Sequence, residues 1–209
     1  MFKIQLYKSD YVIDNKEEIY NESLLIAKKV SKCFDGVTAD PRKGVFHYDQ
    51  ESIDCTWLYP VYNIFGAAAP SKHFYNINKF VNDSIRQYLS EYSEYSDDVQ
   101  IWCQSWINCH SQKQLLKKHT HHFSHHGYLS IDPKHTRTMF FEPNGEEAFF
   151  IENEPGLLYI GPGNIDHEVQ LMTPIQDGDY RITLAFNVAT SYDSFDFENL
   201  NHVSFIPVL

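Results

Sequence analysis

From residue 98 to about residue 190 the hydropathy repeats every two residues, and turn-forming residues interrupt it at short intervals. That period belongs to strands, whose successive side chains point to opposite faces. The pattern gives strands over 99–110, 126–132, 137–142, 147–152, 156–161, 167–172 and 180–188. Pro133, Asn144-Gly145, Pro162-Gly163 and Asp177-Gly178 supply the breaks between them. Short strands joined by tight turns predict an antiparallel sandwich or barrel.

The first half follows a different rule. Phe2 to Leu6 fits a short strand. Residues 15–34 carry Ile19, Ile26, Val30 and Phe34 near one helical face, with Asp14 or Asn15 as the cap. Residues 71–92 repeat the pattern: Ser71 follows Pro70 as the cap, and Ile77, Val81, Ile85, Tyr88 and Tyr92 form an apolar stripe. Such stripes are core-packing surfaces. The stretch 36–65 is irregular and aromatic, and reads as a covering segment rather than a linker. Across 209 residues, 43% hydrophobic content is enough for one sizeable core, so the whole of 1–209 is expected to be one domain. In that division, 1–97 covers, 98–190 forms the β core and 191–209 is a tail.

Charge and composition narrow the partners. A net charge of −11 argues against a chain whose main task is gripping nucleic acid, since phosphate contacts need clustered Lys and Arg. No apolar run is long enough for a membrane-spanning helix, and Met1-Phe2-Lys3 does not open a secretory signal. Cys33, Cys55, Cys103 and Cys109 show no C-x-x-C spacing, as expected of reduced thiols in a cytoplasmic protein.

Two strands carry faces of opposite character. Trp102, Gln104, Trp106, Asn108 and His110 share one side of 101–110, against Ile101, Cys103, Ser105, Ile107 and Cys109. Arg181, Thr183, Ala185 and Asn187 share one side of 181–188, against Ile182, Leu184, Phe186 and Val188. A polar strand face ordinarily meets water. The alternative is a polar cavity inside a small barrel.

The histidines make that alternative worth testing. The chain has 11, concentrated around 119–135. His119-Thr120-His121 is an H-x-H, and on an extended segment residues i and i+2 point the same way, so two imidazoles can converge on one metal ion. His167 opens a strand after the Pro162-Gly163 turn and can supply a third ligand. Arg181 and Thr183 then place a guanidinium and a hydroxyl on one strand face, the make-up of a carboxylate clamp. His122, His125, His126 and His135 are assigned no role. Trp102, Trp106 and Tyr159 read as packing or cavity wall.

Two ligands, a third ligand and then the clamp is an order that resembles the Fe(II)- and 2-oxoglutarate-dependent oxygenases. Ser105-Trp106-Ile107-Asn108 ahead of His119-Thr120-His121 looks like the W-x-N…H-x-H of a bacterial and phage branch of that superfamily. So do Gly127, the run Glu154-Pro155-Gly156-Leu157-Leu158-Tyr159-Ile160-Gly161-Pro162 into His167-Glu168-Val169, and the ending Arg181-Ile182-Thr183-Leu184-Ala185-Phe186-Asn187. The resemblance covers roughly residues 100–190.

It implies a mainly β fold with helices: a double-stranded β-helix (jelly-roll, cupin-like) core with the N-terminal helical and irregular segment packed on it. It also implies Fe(II) on His119, His121 and His167, with 2-oxoglutarate and O2 as co-substrates. Arg181 and Thr183 would hold the far carboxylate of 2-oxoglutarate, and Asn108 would line its pocket. The activity implied is hydroxylation of an amino acid, a peptide side chain or a small metabolite, coupled to decarboxylation of 2-oxoglutarate to succinate and CO2. The residues that choose the substrate are expected in the N-terminal half and on the loops 111–118 and 173–179. No membrane partner is expected, and the oligomeric state stays open, a homodimer included.

One departure matters. The superfamily's usual carboxylate ligand is here His121, so the ligand set is three histidines instead of two and a carboxylate. Glu142 or Asp166 is the alternative third ligand. Two other functional classes stay open: a cupin-like three-histidine dioxygenase or isomerase that does not use 2-oxoglutarate, and a metal- or ligand-sensing barrel without turnover.

Overall fold

The structure is a computed structural model that describes residues 6–33, 54–55, 62–67, 70–91, 96, 98–111, 117–191 and 204–209. Its strands are β1 (Tyr7–Asp10), β2 (Asp54–Cys55), β3 (Ile101–His110), β4 (His125–Asp132), β5 (Thr136–Phe141), β6 (Glu147–Glu152), β7 (Leu157–Pro162), β8 (His167–Leu171), β9 (Arg181–Thr190) and β10 (Ile206–Pro207). The helices are α1 (Lys16–Cys33), α2 (Ile64–Ala67) and α3 (Lys72–Ser90). The strands form two antiparallel sheets. The larger runs β1-β7-β4-β9-β3-β10, with β2 also on β3, and the smaller runs β6-β5-β8.

Each strand of the alternating region forms within a residue or two of its expected bounds. A short strand, β1, forms at Tyr7–Asp10 against Leu157–Ile160 of β7, and the strand expected at 2–6 lies, apart from Leu6, outside the described residues. The covering segment 36–65 lies mostly outside them too, as do Phe34 and Tyr92. Its described parts include β2 and the start of α2, two short elements that the sequence pattern did not separate from loop.

α3 shows how helices meet the sheet. The Ser71 hydroxyl accepts from the Phe74 amide, satisfying one donor of the first turn. Phe74, Ile77, Val81, Ile85 and Tyr88 recur at three- and four-residue spacing and are all buried. They join Ile19 and Ala27 of α1 and the odd-numbered residues of β3, such as Ile101, Cys103 and Ile107. Ile182, Leu184, Phe186 and Val188 of β9 complete this layer, so the apolar faces of β3 and β9 carry the helices. Cys103 and Cys109 sit in it as free, buried thiols, and burial pushes the Cys103 thiol up, away from thiolate. The side chains of Cys33 and Cys55 lie outside the described ones.

The opposite faces of β3 and β9 meet the small sheet rather than water. Every residue of β9 is buried, and so is every residue of β3 except the half-buried Trp102. The expectation of a solvated polar face therefore fails, and the polar-interior alternative holds. Between the sheets a small aromatic cluster of Trp106, Tyr128, Phe140, Ile151, Tyr159, Ile165 and Ala185 provides the second core.

Gly127 of β4 sits where this packing is tightest. A Cβ there would run into the Tyr159 carbonyl oxygen and the Phe186 ring. Backbone cannot step aside cheaply, so Gly127→Ala is expected to lower stability by about 1–3 kcal/mol, the usual cost of overpacking. Urea unfolding of the two proteins measures it.

Candidate metal centre and carboxylate clamp

The inner face of the large sheet is built in rows across β3, β9, β4 and β7. His110 lies opposite Arg181. The next row is Asn108, Thr183 and Ser130. Trp106, Ala185, Tyr128 and Tyr159 follow, and then Gln104, Asn187, His126 and Gly161. An aromatic row, with Ala185 as its small member, thus separates two polar ones.

The three histidines cap this face from the other side. His119 and His167 exchange backbone hydrogen bonds, each N–H donating to the other's carbonyl at 3.0 Å. The His121 N–H donates to the Gly163 carbonyl at 2.8 Å, and the Gly163 N–H donates to the Ser124 carbonyl at 3.0 Å. Gly163 leaves no room for a Cβ beside the Phe123 carbonyl, so the H-x-H segment and the turn before His167 press directly together. One donor atom from each of His119, His121 and His167 lies within 4.8 Å of the others.

The ring nitrogens are already sorted for coordination. His119 Nδ1 lies 2.6 Å from the Lys117 carbonyl and His167 Nδ1 lies 3.0 Å from the Ile165 carbonyl. Donation to those oxygens puts each proton on Nδ1 and leaves the Nε2 lone pair for an ion. His121 Nε2 is buried without a hydrogen-bond partner among the described residues, which leaves it able to bind an ion. Burial holds all three rings below the ordinary imidazole range, His167 at about 3. Neighbouring rings add to this at His121 and His167, while the Lys117 carbonyl and the Asp166 carboxylate partly offset it at His119. The set is therefore neutral at pH 7, the state in which imidazole binds metal. Among the described residues the cluster contains no carboxylate: Asp166 acts on His119 only through its charge, and Glu142 is not part of the group.

Behind these three rings stands a fourth. His126 is buried and stacks on His121 with centroids 3.5 Å apart and planes 8° apart. Trp106 stacks against both, at 6.1 Å from His121 and 5.9 Å from His126. His126 Nδ1 lies 3.2 Å from Asn187 Oδ1, and Asn187 Nδ2 donates to Gln104 Oε1 at 3.0 Å. This chain fixes the plane of His126 and, through the stack, that of His121. The sequence assigned His126 no role. The alternation of β4, which sets His126, Tyr128 and Ser130 on one face, is the signal that could have placed it inward. His125, by contrast, turns to the helices and pairs with the Tyr88 hydroxyl at 3.0 Å, and His122 is exposed.

At the other end of the face Arg181 is buried, with Nη1 donating to Thr183 Oγ1 at 3.4 Å. Asn108 Nδ2 donates to the same oxygen at 3.2 Å. The Thr183 oxygen thus accepts from two donors, which leaves its own proton available to donate. Arg181 also leaves its mark on its neighbours. Burial, then its charge, keeps His110 neutral. Burial raises the Tyr128 hydroxyl to about 12 despite a hydrogen bond to Thr138 and that same charge. A bulge completes the arrangement. Ser130 pairs with Thr183, but Asp132 pairs with Ile182, so one residue is skipped. Without it residue 132 would stand opposite Arg181 on the inner face. With it the Asp132 carboxylate emerges on the helix side and pairs with Lys16 at 3.0 Å and Lys134 at 2.8 Å.

Tyr159 packs with Tyr128 and Phe140 between the sheets. Of the loops expected to choose a substrate, 112–116 lies outside the described residues. The loop before β9 is tied to α1 by the Tyr20 hydroxyl donating to Asp179 at 2.7 Å.

No protein-family model matches the chain, and no curated protein matches it. Solved structures do. SnoK, a non-heme alpha ketoglutarate dependent carbocyclase from nogalamycin biosynthesis, gives a TM-score of 0.55 at 8% identity, over 99% of this chain and 92% of its own. A full-length Neurospora crassa protein in complex with alpha-KG gives 0.51 at 11% identity, over 90% and 75%. IDO from Bacillus thuringiensis matches over only 56% of each chain, with a TM-score of 0.40 at 10% identity, and carries no argument. The fold is a double-stranded β-helix. At these identities the likeness fixes the fold alone. The double-stranded β-helix explains why positions as distant as 108, 126, 167 and 181 share one interior: each lies on a strand facing the gap between the same two sheets. Among the described residues no helix is long and apolar enough to cross a membrane.

Proposed function

We propose that the protein is a non-haem iron, 2-oxoglutarate-dependent oxygenase, most simply a hydroxylase of an amino acid, a peptide side chain or a small metabolite. The observation that carries this reading is the joint presence, on one buried interior, of three neutral imidazoles and a guanidinium–hydroxyl pair. Two of the structural neighbours, SnoK and the Neurospora crassa protein, are themselves described with alpha ketoglutarate, which agrees with it.

His119, His121 and His167 would hold the ion through one nitrogen each. When bound, Fe(II) supplies the redox chemistry by which O2, 2-oxoglutarate and a substrate C–H become succinate, CO2 and the hydroxylated substrate. The chain supplies the rest. Arg181 pairs with the far carboxylate, Thr183 donates to it, and Asn108 orients the Thr183 hydroxyl. Such a pair is strong when dry and aligned. Trp106, Tyr128, Tyr159 and Phe140 keep water from the gap between metal and clamp. Hydroxylation, the substrate classes named and the bacterial and phage branch are part of this proposal.

Anaerobic addition of 2-oxoglutarate to the Fe(II)-loaded protein tests it. A weak visible charge-transfer band is expected. A second reading, a cupin-like three-histidine metalloenzyme that does not use 2-oxoglutarate, is favoured by the lack of a carboxylate in the cluster. Absence of the band at saturating 2-oxoglutarate would decide for that one.

A further inference from the structure

We infer that Ser130 is a third group of the carboxylate clamp, and that it makes the site selective for a dicarboxylic 2-oxo acid over a monocarboxylic one. This rests on the function proposed above. Ser130 Oγ is fully buried and has no hydrogen-bond partner among the described residues. Buried hydroxyls are almost always satisfied, so an unsatisfied one facing an interior calls for a partner, and a bound carboxylate would supply it. Its direction follows from β4. His126 faces the metal ligands, and the Tyr128 hydroxyl reaches Thr138 on the small sheet, so Ser130, two residues on, faces the same gap.

Register then puts Ser130 in one row with Thr183 and Asn108, beside Arg181. The bulge right after Ser130 makes it the last inward residue of β4 and carries the Asp132 carboxylate to the other face. A carboxylate entering there meets the guanidinium and the Thr183 hydroxyl on β9 and the Ser130 hydroxyl on β4. A hydroxyl can donate only one proton, so Thr183 and Ser130 together serve two lone pairs where Thr183 alone would serve one. A 2-oxo acid without a second carboxylate leaves this row unused.

The test is calorimetric titration of 2-oxoglutarate and, separately, of pyruvate into anaerobic Fe(II)-loaded wild type, Ser130→Ala and Ser130→Cys. Ser130→Ala is expected to raise the Kd for 2-oxoglutarate about tenfold, the scale of a hydrogen bond to a charged group. Pyruvate affinity and iron content should be unchanged. Ser130→Cys, which keeps a weak donor, should fall between. Wild-type affinity for 2-oxoglutarate in both variants overturns the inference alone. Equal weakening of 2-oxoglutarate and pyruvate overturns it too, because it marks a merely structural role. Failure of the wild type to bind 2-oxoglutarate overturns the proposed function, and this inference with it.

Discussion

Replacing Arg181 with methionine is expected to weaken 2-oxoglutarate binding by roughly 100-fold or more while iron still binds. The estimate follows from the bond type. Charge-assisted hydrogen bonds to a carboxylate contribute about 1.5–3 kcal/mol each, and a guanidinium makes two side by side. Methionine keeps most of the buried length, so the aromatic row and the Thr183–Asn108 contact have no reason to rearrange. Folding should survive as well, because a buried charge contributes little net stability and an apolar replacement of similar size often costs nothing. Succinate formation as a function of 2-oxoglutarate, together with iron content, checks this. Full succinate production at ordinary co-substrate levels would remove Arg181 from the clamp.

His167→Ala is expected to act at the other end, lowering iron affinity by more than about 100-fold and abolishing turnover. Loss of an outer-sphere partner typically costs 10- to 100-fold, and a ligand itself costs more. His167 is the ligand whose position the fold defines best. Its backbone is bonded to His119, its Nδ1 to the Ile165 carbonyl, and its ring lies 4.5 Å from that of His119 and 5.9 Å from that of Phe140. No neighbouring carboxylate among the described residues stands ready to replace it. Metal content after dialysis and anaerobic iron titration measure the effect. Retention of stoichiometric iron would mean that the ion sits elsewhere.

Much of this architecture was legible in the sequence, for definable reasons. Alternation gave β3, β4, β7 and β9 because each of these strands has a largely apolar face on the helices and an opposite face toward the small sheet. Ser71 and the Ile77, Val81, Ile85, Tyr88 stripe gave α3. The convergence of His119, His121 and His167, and of Arg181, Thr183 and Asn108, could be anticipated from same-face spacing and motif order. The roles proposed for them remain for the experiments above.

Other features depend on pairing between strands, which one strand's pattern does not record. Whether the polar face of β9 is wet or dry is decided by the small sheet lying over it. The alternation of β4 marks His126 as inward, but its contact with Asn187 is set by the register of β4 on β9. The bulge is an offset between two strands, so nothing in Ser130-Ile131-Asp132 announced that the carboxylate would leave the inner face. Tyr7–Asp10 is too short a pattern to announce β1, whose place is set by its pairing with β7.

The mutual backbone bonds of His119 and His167 carry a practical consequence. Because polypeptide rather than ion sets the spacing of these two backbones, the empty and loaded forms are expected to share one scaffold, with cations trading places without unfolding. Three uncharged nitrogens accept nickel, copper or zinc readily as well as ferrous iron. The cation carried through purification is therefore expected to follow supply during growth and handling, and stripping followed by anaerobic reconstitution is the natural starting point for measuring what this protein does.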